Sequence, residues 1–174
     1  MLFLRHVRIG VVMTSLGLIM ASPTQASDPG KASVRADKLV VFKAARKLQL
    51  MKGGEVLRSF RVALGPNPKQ HKVREGDGRT PEGRYVLDWR NAKSRYYRSI
   101  HISYPNAHDR RKAAERDVSP GGDIMIHGLP NGYKGPAQRH SAWDWTAGCI
   151  AVTNAEIDVI WSLVENGTPI EINP

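Results

Sequence analysis

Trp143-Asp144-Trp145-Thr146-Ala147-Gly148-Cys149-Ile150-Ala151-Val152-Thr153-Asn154 is the most informative stretch of this 174-residue chain. It carries the single cysteine and runs straight into a capping box, Thr153 with Glu156. Ile157, Ile160, Trp161 and Val164 then recur on one helical face until Asn166-Gly167 stops the helix. A cysteine just upstream of a capped helix would feel the partial positive charge of its N-terminus. That charge favours thiolate over thiol, although it fades within a turn. Gly148, having no side chain, would let the backbone approach a substrate carbonyl closely. A free thiol titrates near ~8.5, so attack near neutrality needs a base or cation beside it.

Outward from this helix the chain reads as mainly β. Leu39 to Phe42, Leu48 to Met51 and Val56 to Leu64 are short apolar-rich strand candidates, and Lys52-Gly53-Gly54-Glu55 is a hairpin turn signal. Gly65-Pro66-Asn67-Pro68 and the glycine-bearing stretch from Glu75 to Gly83 are loops. Tyr85 to Trp89, Ser99 to Tyr104, Asp123 to Ile126 and Pro169 to Ile172 are further strands. Ile100, Ile102 and Tyr104 alternate with polar residues, as in a half-buried strand. Ala107 to Asp117 is a second, polar helix. The pattern predicts one compact β domain over residues 38–173, with a few short helices and the amphipathic helix near its C-terminal end.

The N-terminus points to export. Arg5, His6 and Arg8 precede an apolar run from Ile9 to Met20, and Thr24 and Ala26 supply small residues at the −3 and −1 positions. This is the layout of a secretory signal peptide over residues 1–26. The run is too short to cross a bilayer, which needs ~20 residues, so no stable membrane insertion is expected after cleavage. An uncleaved N-terminal anchor is the alternative. Residues 27–37 are small and polar and read as a disordered leader. Loss of Arg5 and Arg8 would reduce the formal charge of +10 by two. A basic exported protein suits an acidic polymer or anionic surface better than nucleic acid, which is not expected as a partner. With one cysteine, the exported chain can form no internal disulfide, so Cys149 is either inert and buried or kept for reactivity.

Of the six histidines, His127 is the best candidate base, because it closes the strand Asp123-Ile124-Met125-Ile126-His127 before Gly128. A rigid strand end opening into a loop is a suitable mount for a catalytic side chain. Other readings remain open on these residues alone. Cys149 and His127 can be a buried thiol and a hydrogen-bonded histidine with no chemistry. His101, His108, His127 or His140 with Asp123 can be assembled into a zinc site, although the chain lacks a tight ligand pair. A binding module without activity, its cysteine structural, is a third reading. The loop from Glu75 to Gly83 lacks the Lys-Ser/Thr ending of a phosphate loop. Its Asp77, Arg79 and Glu82 are candidates for binding a polar peptide. Trp143 and Trp145 either line a groove or pack.

Ile126-His127-Gly128 followed by Thr146-Ala147-Gly148-Cys149 resembles the L,D-transpeptidase (YkuD-type) catalytic domain family. Val62-Ala63-Leu64-Gly65, the stretch from Gly76 to Gly83, Ile102 to Asn106, Pro120 to Ile124 and Asn166 to Ile170 are similar to its YafK-like subgroup. The resemblance implies a β-sandwich-like domain, acting in the periplasm or cell wall, with Cys149 as nucleophile and His127 as base. It implies attack on the L-to-D amide of a peptidoglycan tetrapeptide stem, release of the terminal D-alanine and transfer to an amine of a neighbouring stem, with no cofactor or metal. Gly148, Thr146, Trp145 and Asp123 are the residues expected to bind the oxyanion or substrate; for Asp123 a strand-end role is the plainer reading. Ala147 and Ala151 stand where many members have His and Arg. Arg139, His140 or His101 are candidates to replace them. Water as acceptor would give a hydrolase, and the subgroup includes cleavage of a lipoprotein's link to peptidoglycan, so a wall-linked lipoprotein is a second expected partner.

Overall fold

The computed structural model describes residues 34–174. The expected signal peptide and residues 27–33 of the expected leader lie outside the described residues.

Eight strands form one mixed sheet: β1 (Lys38–Phe42), β2 (Lys47–Lys52), β3 (Glu55–Arg61), β4 (Gly83–Ser94), β5 (Tyr97–Ile102), β6 (Met125–His127), β7 (Ile150–Ala151) and β8 (Pro169–Asn173). Their order is β3-β2-β1-β8-β4-β5-β6-β7. Gly53 and Gly54 both have positive φ, which builds the tight turn read from Lys52 to Glu55. The long strand β4 joins the two halves of the sheet. Its first residues pair with β8 and the remainder with β5. The far edges then meet, because Ala63, just past β3, bridges Ala151 of β7. The sandwich-like expectation is thus met by a single sheet whose halves enclose one core.

Alternation decides the faces. Leu87, Ile100, Ile102, Ile126 and Ile150 point to one side of the β4–β7 half and are fully buried there with Ile157 and Ile160 of α2 (Asn154–Leu163). Removing a side chain of this size from water is worth about 1.5–3 kcal/mol. Thr153 Oγ1 accepts from Glu156 N while the Glu156 carboxylate accepts from Thr153 N, as the sequence signal required. The other helix, α1 (Ala107–Ala114), carries the same device through Asn106 and Asp109. It ends three residues before the expected limit, and Asp117 has φ +53.

Two boundaries need correction. Ala36 is buried and its N–H donates to Leu163 O, and Asp37 N donates to Met51 O, so both residues belong to the domain rather than to a leader. The strand expected at Asp123 begins at Met125, since Asp123 sits in the left-handed region at φ +54.

Candidate active site

The β6–β7 pair sets the positions of His127 and Cys149. The two strands are parallel, with Ile126 opposite Ile150 and His127 opposite Ala151. Cys149 therefore lies beside Met125, whose N–H donates to the sulfur at 3.4 Å. Ile126 and Ile150 point into the core, so Met125, His127, Cys149 and Ala151 share the opposite face. One strand across and two residues along place the Cys149 and His127 Cα atoms about 8 Å apart, on one surface.

His127 is buried and closely held. Its Nδ1 lies 2.7 Å from Gly128 O. A carbonyl only accepts, so the hydrogen is on Nδ1, and in the neutral ring Nε2 keeps a free lone pair. Tyr96 and Trp145 pack against the imidazole, at centroid distances of 4.5 and 5.7 Å, and against each other at 6.1 Å. Burial pushes the imidazole below its ordinary value, opposed in part by the Gly128 bond. The glycine at 128 is required by packing: a Cβ there would come within 2.6 Å of Asn154 Oδ1, which accepts from Leu129 N.

Burial also raises the Cys149 thiol. The Met125 N–H works against that, the Asp123 charge adds to it, and the Lys72 charge opposes it. Strand β7 separates Cys149 from the start of α2, so the sulfur sits among strand backbones instead of at the helix end. Thiol and imidazole therefore rest as a neutral pair.

The loop before the cysteine departs from expectation in an instructive way. Thr146 Oγ1 accepts from Gly148 N at 3.1 Å and donates to Cys149 O at 2.8 Å. The Gly148 N–H is thereby engaged inside the loop. Gly148 has φ +129, and a Cβ on it would meet Arg79 O at 2.5 Å. Its lack of a side chain is what lets the glycine-rich loop approach this closely. Trp145 donates from Nε1 to His140 O and, with Leu129, Pro130, Tyr133, His140 and Trp143, lines an apolar cavity of about 210 Å³. Asp123 touches the site through its carbonyl, 3.5 Å from the sulfur.

Several other expected contributors have structural work. Both ring nitrogens of His140 face carbonyls, Ala137 O and Arg61 O. Asp77 is buried and accepts from Lys72 Nζ and from the N–H groups of Val73, Arg74 and Arg79, which together hold its carboxyl below the usual range against the effect of burial. Glu82 pairs with the buried Lys43. Arg79 reaches His71 O. No group of three His, Cys, Asp or Glu among the described residues converges to hold a metal ion. Among those residues no helix is long and apolar enough to cross a membrane.

Three contributors escaped the sequence reading. Tyr96 reaches His127 from the β4–β5 turn, and only the adjacent tyrosines 96 and 97 hinted at a packing role. Lys72 acts on the cysteine, and Arg46 on Asp144 of its loop, from a distance in sequence that no local motif spans.

A β sheet closed at Ala63 and Ala151, carrying a His-Gly strand end beside a Thr-Ala-Gly-Cys loop, defines a recognisable class. The L,D-transpeptidase catalytic domain (YkuD) matches residues 36–172, and the chain belongs to that family. The YafK protein of Escherichia coli (strain K12) is 37% identical over 134 residues, 71% of this chain and 45% of YafK. The chain therefore spans about half the length of the curated relatives it matches. Among solved structures, the helical cell shape determining protein Pgp2 of Campylobacter jejuni is similar with a TM-score of 0.59 and 23% identity, over 80% of this chain and 48% of Pgp2. An L,D-transpeptidase from Xylanimonas cellulosilytica gives 0.51 and 15%, over 84% and 64%. At those identities the likeness is one of fold.

Proposed function

We propose that this chain is an exported peptidoglycan L,D-transpeptidase in which Cys149 is the nucleophile and His127 the base. The observation that carries the reading is their placement on one face of adjacent parallel strands, with the His127 tautomer fixed by Gly128 O. Because burial keeps both groups neutral at rest, proton transfer accompanies attack. Nε2 of His127 takes the thiol proton as sulfur bonds to the carbonyl carbon preceding the terminal D-alanine. The C–N bond breaks, the imidazolium protonates the departing amine, and a thioester remains. An amine of a neighbouring stem attacks that thioester, gives its proton to His127 and restores the thiol. With the Gly148 N–H engaged by Thr146, the N–H of Cys149 itself is the oxyanion donor, and one such donor is typically worth ~2.7–4 kcal/mol. Trp145 contributes an apolar wall, and Asp123 positions the sulfur through its carbonyl.

The test is to incubate purified protein with defined muropeptides, with and without an amine acceptor, and to weigh the products. Cross-linked dimers are expected; trimmed monomers, or release of a wall-linked lipoprotein, would make water the acceptor and the protein a hydrolase. Cys149→Ala should fold and form no product, and full turnover in that variant would overturn the assignment. A thiol-reactive carbapenem adding no mass at Cys149 would favour a wall-binding module.

A further inference from the structure

A second concave site is lined by neither Cys149, His127 nor Trp145. It is a cavity of about 540 Å³, walled by the loop at His71 and Lys72, the start of β4 and helix α1. A volume of this size suits a small organic molecule rather than a bare ion. The acids that line it are already engaged. Asp109, buried on α1, accepts from Tyr85 Oη at 3.1 Å and from Asn106 N at 2.9 Å, and His71 Nε2 faces its other oxygen at 3.3 Å. Glu82 pairs with buried Lys43 at 2.8 Å.

The bases are not all matched. Lys72 is taken by Asp77 at 2.9 Å. The Glu171 carboxylate, opposite Arg84 in the β4–β8 register, takes Lys38 at 2.7 Å, and that of Glu115, next to Arg116, takes Lys112 at 2.8 Å. Among the described residues this leaves the exposed side chains of Arg84 and Arg116 without a salt bridge, although both line the cavity. His108 lines it one helical turn before Lys112. A guanidinium only donates, so Arg111 Nη2, 3.1 Å away, fixes the lone pair of the neutral His108 ring on Nδ1 and its hydrogen on Nε2.

We propose that this cavity binds a phosphate monoester, held by the guanidinium groups of Arg84 and Arg116 with His108 Nε2 as a further donor. A monoester carries a charge of about −2 near neutrality and three acceptor oxygens. Two unmatched guanidinium groups supply the opposite charge, and their paired N–H donors suit a phosphate at two points each. A carboxylate, with one charge and two oxygens, would be satisfied by one of them. Lys112 joins at small cost, because its exposed pair with Glu115 is weakly held. The volume beyond the phosphate takes the alcohol to which it is esterified. A soluble phosphate ester and the headgroup of a phosphatidic acid share this chemistry.

Glycerol 3-phosphate titrated into the full chain tests the site, with the side-chain Nε–H signals of Arg84 and Arg116 followed by NMR and acetate at equal ionic strength as control. Saturable shifts of both signals are expected with the phosphate and not with acetate. Arg84→Gln and Arg116→Gln should each weaken binding about tenfold, the loss of one charge-assisted contact. Their melting temperatures should be unchanged, because both side chains are exposed. Lys52→Gln removes an exposed charge outside the cavity and should leave the affinity as it was. Sedimentation with phosphatidylcholine vesicles, with and without phosphatidic acid, separates the two sources. Binding to the acidic vesicles that needs both arginines assigns the lipid headgroup, and binding of glycerol 3-phosphate without vesicle binding assigns a soluble ester. Shifts that do not saturate, an equal response to acetate, or a loss in Lys52→Gln as large as in the arginine variants overturns the site.

Discussion

Arg46 grips Asp144 across 98 residues of sequence, its Nε donating to both carboxylate oxygens at 3.0 Å and its Nη2 to Oδ2 at 2.5 Å. The same carboxylate accepts from Leu64 N. Three residues earlier in the same turn, buried Lys43 donates to Gln70 O, Thr80 O and Glu82 Oε1. One short turn between β1 and β2 thus holds both the cysteine loop and the glycine-rich loop against the sheet.

Asp144→Ala should therefore cost more than a surface ion pair. Charged hydrogen bonds are worth about 1.5–3 kcal/mol, and a loss near 2 kcal/mol is expected in urea unfolding. Cys149 alkylation should also speed up, because the loop then keeps only its Thr146 N–H bond to Leu64 O. A stability change below about 0.5 kcal/mol would mean that the pair is ornamental.

Gly148→Ala introduces a Cβ 2.5 Å from Arg79 O at φ +129, a region L side chains rarely adopt. Strain and overpacking together should exceed about 3 kcal/mol. The melting temperature should fall, and thioester formation with it. Wild-type stability would show that the two loops do not pack as described.

Thr146→Val keeps the shape of the side chain and removes both of its hydrogen bonds. An unsatisfied buried backbone group costs about 1–3 kcal/mol, so the variant should lose roughly 2 kcal/mol and most of its acylation rate. Thr146→Ser restores the hydroxyl and should recover both. If serine fails as badly as valine, the methyl group and not the relay is what matters.

The two site residues give stability opposite pH limits. The thiol is raised by folding, so its contribution is complete below the unfolded thiol value of ~8.5 and declines as pH rises through the folded one. The imidazole is lowered by folding, so its contribution is complete above ~6.5 and declines as pH falls through the folded value. Urea unfolding from pH 5 to 10 should show a plateau between these limits. Cys149→Ala should flatten the alkaline side and His127→Gln the acid side. The acid limb of kcat/KM should likewise lie below pH 6.5, and a limb above it would mean that His127 is not the base.

The mainly β architecture, the hairpin at Gly53-Gly54 and the capped helix from Asn154 were legible in the sequence, because each rests on alternation, turn chemistry or capping within a few residues. The strand ending at His127 was legible for the same reason, as was Cys149, the chain's single thiol. What only the tertiary structure decided are the relations between strands: the register that puts Cys149 and His127 on one face, the bulge that turns Asp88 and Trp89 toward His101, and the reach of Arg46 to Asp144. The state of the thiol belongs with these. Local order suggested a helix end lowering it, but burial among β6, β7 and the cysteine loop raises it. Desolvation depends on everything packed around an atom, and no stretch of neighbouring residues records that.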